Sequence, residues 1–371
     1  MPSLRIVHLL SSLQVGGQER VAFDLAVRQL RDGHSVAVAS LSGGPEGPLG
    51  EELRRAGVAV HSAPKQAGFD AWLVLRLARL FRRGRTQIVH THNPQPLIYG
   101  APSGRLAGAR IVHTKHGANL YQGRQLQLMR SAARLVHAYV AVSATTAEIA
   151  RSRREVRLDR LAVIANGIDL DSFHPDESAR AEVRSELAIP MDAWVMGTVG
   201  RLSSEKNQAL LLCAAAPLLD EKTRLVVVGD GAEASSLAGL RKALPTGRFI
   251  HLTGGRRDVP RLLAAFDVFV LSSHTEGLPL VIPEAMAVAL PVVSTAVGGI
   301  PSVIDEGTTG FLVPPGDEAA MRERLGDLRS RPESARSAGR LGREVALERY
   351  SADRMAAEYL ALYHRILDGG A

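Results

Sequence analysis

The sequence predicts an α/β protein made of two doubly wound parallel-sheet units in tandem, facing each other across a cleft. Three observations carry this. Continuous apolar runs of strand length, bounded by turns, alternate with amphipathic stretches of helical period. The alternation stops near residue 166 and then begins again. A chain of 371 residues with 46% hydrophobic and 22% charged residues also has the length and globular composition of two ordinary domains.

In the first unit, Arg5–Leu10 reads as a buried strand, followed by a glycine turn and a helix from about Glu19 to Arg31. Strands follow at Ser35–Ser40, Val58–His61, Ile88–Thr91, Arg110–Thr114 and Ala138–Val142, with helices at Ala71–Arg83 and Gln125–His137. Runs apolar on both faces, with helices between them, require a parallel sheet covered on each side. The polar, turn-rich stretch Asn166–Pro175 marks the boundary, so the domains are placed at 1–165 and 166–349. The second series has strands Trp194–Val199, Arg224–Val228, Phe249–Leu252, Val268–Leu271 and Pro291–Ser294. Its helices are Asn207–Leu219, Glu233–Leu244, Val259–Ala265 and Pro279–Ala289. A last helix, Tyr350–Leu367, has no strand after it, and the segment 350–371 is expected to return to the first domain.

Composition excludes several classes. One cysteine, Cys213, rules out an intrachain disulfide and a thiolate zinc cage; its apolar surroundings predict a buried, inert thiol. No apolar run is long enough to span a membrane, and the N-terminus lacks a secretory pattern, so a cytoplasmic protein is expected. Residues 1–165 hold 23 Lys+Arg against 10 Asp+Glu, a balance of +13; residues 166–371 hold 22 against 28, a balance of −6. A basic front half suits a phosphorylated substrate or an anionic surface. With 4% aromatic residues and no interleaving of aromatics with basic groups, nucleic acid is not an expected partner.

Ligands of open α/β sheets bind beyond the carboxyl ends of the strands, and four such loops carry chemistry. In Ser272–Leu290, Gly277–Leu278–Pro279 opens a helix whose N–H groups suit a phosphate. Glu276 in that turn can accept from sugar hydroxyls, and Glu284 can hold a ribose diol; spacing alone equally allows a helix cap and a solvated side chain. In Gly200–Asn207, Arg201 and Lys206 can neutralise a departing diphosphate, or be two surface cations. Gly16–Gly17–Gln18–Glu19 lets backbone approach a phosphate or sugar. In His113–Asn119, His116 can contact a reacting sugar or an incoming hydroxyl. Nearby His90 and His92 raise a metal question, but no carboxylate stands at ligand spacing, and no metal is assigned. Gly229–Asp230–Gly231 resembles the dinucleotide fingerprint, yet the acidic residue expected about 20 positions on is absent.

Taken together, these segments resemble the retaining glycosyltransferases of the GT-B fold, glycosyltransferase family four. The resemblance covers nearly the whole chain. It rests on VIANGIDLDSFHP, GTVGRLSSEKN, VVVGDGAE, LTGGRRDVPRLLAAFDVFV and the Glu276/Glu284 pair within SHTEGLPLVIPEAMAVALPVVSTAVGGIPSVIDEG, in the family's order. The first half matches less specifically, and its glycine loop reads GGQE where GGAE is commoner.

The resemblance implies transfer of a hexosyl group, such as glucosyl, N-acetylglucosaminyl or mannosyl, from a nucleotide-diphosphate sugar to an acceptor hydroxyl. A uridine carrier is favoured over guanosine. Base and ribose would lie near Gly231, Thr253, Gly254, Arg256 and Glu284. The diphosphate would meet Arg201, Lys206, Gly277–Leu278–Pro279 and Gly16–Gly17, while Glu276 and His116 would flank the donor sugar. No cofactor and no obligatory metal are implied. The rival readings are a nucleotide-sugar-binding protein without turnover, and a nicotinamide enzyme. The basic amphipathic stretch Trp72–Arg85 adds a candidate contact with the inner membrane face and a lipid-linked acceptor.

Overall fold

The computed structural model describes residues 2–43, 47–117 and 121–369. The chain forms two compact units, one of Met1–Gly167 with Ala352–Ala371 and the other of Ile168–Ser351. The break therefore falls two residues beyond the polar boundary read from sequence. Backbone contacts explain why: Gly167 N–H donates to the Met355 sulfur at 3.2 Å, whereas Ile168 N–H donates to Tyr350 O at 2.8 Å.

The first unit holds a parallel sheet of β1 (Arg5–Leu10), β2 (Ser35–Ser40), β3 (Ala59–Ser62), β4 (Ile88–His92), β5 (Arg110–Lys115), β6 (Ala138–Ala141) and β7 (Leu161–Val163). Their order across the sheet is β3-β2-β1-β4-β5-β6-β7. Register places Ile6 beside Val36 on one side and Ile88 on the other, so β1 is buried on both flanks. The helix Ala71–Arg83 buries Leu73, Leu77 and Phe81 against this sheet. The terminal helix Ala352–Leu367 belongs to this unit, with Arg28 bonding Asp353 at 2.6 Å.

The second unit repeats the plan with β8 (Trp194–Val199), β9 (Thr223–Val228), β10 (Ile250–Leu252), β11 (Val268–Leu271), β12 (Val292–Thr295) and β13 (Phe311–Val313). The order is β10-β9-β8-β11-β12-β13, again parallel. Each sheet thus reverses direction once, between β1 and β4 or between β8 and β11, which is where doubly wound folds open a crevice.

Several elements beyond those expected from sequence are weakly patterned. The edge strands β7 and β13 span three residues each, too short to show a period. Helix Pro94–Ala107 carries Pro102 and Gly100 inside it, and a Cβ on Gly100 would lie 2.7 Å from Leu9 and Thr91 atoms of the sheet. The helix expected over 207–219 stops at Ala215 and tightens into a 3-10 turn at Ala216–Leu218, where Pro217 lacks the N–H to continue it. Cys213 is half-buried rather than buried, and desolvation raises its thiol pKa. Among the described residues, no helix is long and apolar enough to cross a membrane.

Candidate active site

Two loops flank the point where the second sheet reverses: residues 200–207 after β8 and 272–280 after β11. They are laced together through backbone. Glu205 O accepts from His274 N–H at 2.7 Å, and the Ser272 hydroxyl donates to Lys206 O at 3.1 Å and Asn207 O at 2.9 Å. Arg201 O accepts from the Gln208 side-chain amide at 3.0 Å, and Leu202 exchanges backbone bonds with Asp230 and Glu233. Asn207 takes the left-handed φ of 48°, which asparagine tolerates better than most residues. A loop held at this many points has a preorganised backbone.

The side chains on these loops include a charge pair. Lys206 Nζ lies 2.6 Å from Glu276 Oε1, with the lysine side chain 21% and the glutamate 8% exposed. The Ser273 hydroxyl donates to the same oxygen at 2.6 Å. Ser273 is itself held by Thr295, whose hydroxyl donates to its carbonyl at 2.7 Å. Glu276 is not a simple helix cap: the helix Val281–Ala287 begins five residues after it. Gly277–Leu278–Pro279 is likewise a connecting segment and not the helix's first turn, a correction to the sequence reading. The segment is fixed by the loop after β12, where Gly299 N–H donates to Gly277 O at 2.7 Å. Gly298 has φ +56°, and any Cβ there would collide with Glu276 O. The supporting roles of Ser273, Thr295 and Gly298 are not assigned from the sequence; Ser273 lies in the loop after β11 already singled out there, Thr295 ends β12, and Gly298 lies in the small-residue turn that follows.

Arg201 is 70% exposed and pairs loosely with Glu205 at 3.4 Å. Glu284 sits half-buried in the first turn of helix Val281–Ala287. Gly231, at φ +154°, packs so closely on Leu202 O that a side chain is impossible; Gly229, at φ +147°, meets Gly200 O in the same way. The paired glycines therefore serve the close approach of two loops, which accounts for the partial dinucleotide fingerprint. Thr253 bonds Val227 O through its N–H at 3.0 Å, and Gly254, at φ +72°, has open space around it. Arg256 is committed elsewhere: it grips Asp258 through two bonds of 2.8 and 2.7 Å and also pairs with Glu186, contacts that raise its pKa further. Reaching a base or ribose would cost it those partners.

The remaining candidates lie in the first unit. Gly16 is the extended residue preceding helix Gly17–Arg31, and a Cβ on it would collide with the Glu19 carboxylate. A carboxylate thus already folds over this helix start. His116 follows β5; Ala118 and Asn119 of its loop lie outside the described residues. Its ring belongs to a hydrogen-bonded row absent from the sequence reading. His8 Nε2 lies 2.8 Å from Gln29 Oε1, His8 Nδ1 lies 3.0 Å from His92 Nε2, and His92 Nδ1 lies 2.9 Å from His116 Nε2. Beside it, His90 bonds Tyr363 at 2.6 Å and Thr114 at 2.7 Å, and Thr114 bonds Tyr359 at 2.8 Å. His8, His90 and His92 bring ring nitrogens within 4.8 Å of one another, but all six nitrogens are engaged in these bonds. Burial pushes the pKa of His8 down to about 4 and those of His113 and His116 to about 3, with His90 and His92 also held well below the ordinary value, so the cluster is neutral.

A model of the glycosyl transferases group 1 matches residues 179–345, and a model of glycosyltransferase family 4 matches residues 15–172. The D-inositol 3-phosphate glycosyltransferase of Xylanimonas cellulosilytica is 30% identical over 320 residues, covering 78% of this chain and 74% of that protein. The UDP-Gal:alpha-D-GlcNAc-diphosphoundecaprenol alpha-1,3-galactosyltransferase of Escherichia coli is 30% identical over 262 residues, 66% of each chain. Among solved structures, Anabaena HepE in complex with UDP superposes with a TM-score of 0.86 at 22% identity, covering 97% of this chain and 99% of that one. The fold is GT-B, two Rossmann-like units, and the chain belongs to glycosyltransferase family four. It is a glycosyltransferase.

Proposed function

We propose that the protein transfers a hexosyl group from a nucleotide-diphosphate sugar, with uridine as the favoured base, to an acceptor hydroxyl with retention of anomeric configuration. The observation that carries this is the Lys206–Glu276 pair at 2.6 Å, set on two laced loops where the second sheet reverses. In this reading Lys206 and exposed Arg201 stabilise the charge that collects on the leaving diphosphate, a role a divalent metal fills in other transferases. Glu276, oriented by Ser273 and Lys206, accepts from sugar hydroxyls, and Glu284 from the ribose. A uridine donor is supported by the solved structures of Anabaena HepE with UDP and with UDP-glucose, and by the UDP-Gal donor in the name of the Escherichia coli relative. That relative's diphosphoundecaprenol acceptor makes a lipid-linked acceptor the reading to try first.

The test is a panel of uridine and guanosine diphosphate sugars, scored by thermal shift and then by nucleotide release, with the anomer of the product read by NMR. Donor binding raises Tm by mass action. A shift without any release in the presence of acceptors would favour the binding-protein rival, and inversion at the anomeric carbon would refute retention. Activity undiminished by a chelator is expected if the two cations suffice.

A second reading concerns the surface of the first unit. Helix Ala71–Arg83 leaves Trp72 72% and Leu75 40% exposed, with Phe69 66% exposed just before it and Arg79 and Arg83 exposed along it. Exposed aromatic and aliphatic groups among arginines suit peripheral contact with an anionic bilayer. Sedimentation with anionic vesicles tests this, and indifference to lipid charge at low salt would refute it.

A further inference from the structure

We propose that Gln29, His8 and His92 form a positioning chain that fixes which nitrogen of His116 carries its proton, so that Nδ1 is presented as a hydrogen-bond acceptor to a ligand hydroxyl. The Gln29 side-chain amide N–H donates to the Tyr363 oxygen at 3.5 Å, which turns its carbonyl oxygen toward His8 Nε2 at 2.8 Å. Only a protonated nitrogen can occupy that position, so His8 carries its hydrogen on Nε2. A neutral imidazole has one N–H and one acceptor nitrogen. His8 Nδ1 is therefore an acceptor, and His92 Nε2–H donates to it across 3.0 Å. His92 Nδ1 is then an acceptor in turn, and His116 Nε2–H donates to it across 2.9 Å.

What remains at the end of the row is the lone pair on His116 Nδ1. That atom is buried and has no partner among the described residues. A buried acceptor without a donor is uncommon and calls for one. A sugar hydroxyl is a suitable donor, and in assigning the ligand this inference rests on the transferase reading above. The chain also explains why β1 and β4 each carry a histidine at a buried strand position: His8 is 0% and His92 1% exposed. An apolar residue at position 8 or 92 would fill the volume but leave buried partners unpaired and the orientation of the His116 proton unset.

The experiment is long-range nitrogen–proton NMR on the full, ligand-free chain labelled at histidine nitrogens. The expected spectrum has His116 protonated on Nε2 and through-hydrogen-bond nitrogen–nitrogen couplings from His116 Nε2 to His92 Nδ1 and from His92 Nε2 to His8 Nδ1. A proton on His116 Nδ1, or absence of these couplings, overturns the proposal. A kinetic arm uses His92→Gln, whose amide can still donate to His8 and accept from His116, against His92→Leu, which can do neither. The expected kcat falls about tenfold in His92→Leu, the equivalent of one hydrogen bond, and recovers in His92→Gln. Equal losses in both variants would overturn it, and if His92→Leu does not fold the wild-type spectrum decides. Couplings present in a protein that turns over no nucleotide sugar would refute the transferase reading while upholding the chain. Turnover with His116 protonated on Nδ1 would refute the chain alone.

Discussion

The two units share a strand order and differ in what fills the point where the sheet reverses. In the first, β1 and β4 carry His8, His90 and His92, buried, neutral and tied to Gln29 and Tyr363. In the second, β8 and β11 end in loops that carry a lysine–glutamate pair at 2.6 Å, fixed by backbone bonds and glycines. One topology therefore holds either an uncharged relay or a preorganised charge pair. The relay depends on staying dry and unprotonated, whereas the charge pair depends on the rigidity of its loops.

The largest expected difference is in acid. The buried imidazoles have folded pKa values below the ordinary 6.5, with His8 at about 4 and His113 and His116 at about 3. Above pH 6.5 both folded and unfolded chains hold them neutral, and their full stability is present. As pH falls below 6.5, only the unfolded chain binds the protons, so stability is lost progressively until the folded values are reached. By pH 5 each such group removes up to about 2 kcal/mol. Amide hydrogen exchange across a urea series, followed peptide by peptide, reports each unit separately. The first unit's urea midpoint is expected to fall between pH 7 and pH 5, and the second's to fall less, because among the described residues His251 is the one histidine there whose pKa burial lowers; parallel falls would break the contrast.

Next in size is the charge pair. Lys206→Ala and Glu276→Ala are each expected to lower turnover by about 100- to 1000-fold with the fold retained, and the double variant to be little worse than either. Near-wild-type turnover in a folded single variant would remove both residues from the site. Gly298→Ala probes the support of the pair. A Cβ at φ +56° against Glu276 O should cost about 1–3 kcal/mol and displace Glu276, lowering Tm and turnover together. The smallest effect is expected for Arg256→Ala. Its partly exposed pairs with Asp258 and Glu186 contribute little to stability, and donor affinity measured by calorimetry should be nearly unchanged. A large loss of affinity would show that Arg256 leaves its partners for the donor.

The two members of the charge pair were legible as separate candidates, though not their pairing, because each stands in a contiguous motif that follows a strand with a clear apolar pattern: Lys206 in GRLSSEKN and Glu276 in SSHTEG. The histidine row was not. His8, His92 and His116 are separated by more than 80 and by 24 positions, and Tyr363 lies on a helix 273 positions from its partner His90. Nothing local in RIVHLL marks His8 as a bonded neutral imidazole rather than a core filler. Some short-range patterns also have a local structural cause. Gly16 clears space for Glu19, Gly229 and Gly231 admit a neighbouring loop, and Arg256 is saturated by carboxylates.

Alternating apolar runs and helices set the two parallel sheets by themselves, because hydrophobic period and turn chemistry act over a few residues. Residue type in the loops after strands likewise marked where charge would gather. Only the tertiary structure decided which of those groups are paired, which glycines brace a neighbour, and which way a row of imidazoles is protonated. These outcomes depend on distance and burial between residues far apart in the chain, and hydrogen bonds and desolvation act on those variables rather than on sequence spacing.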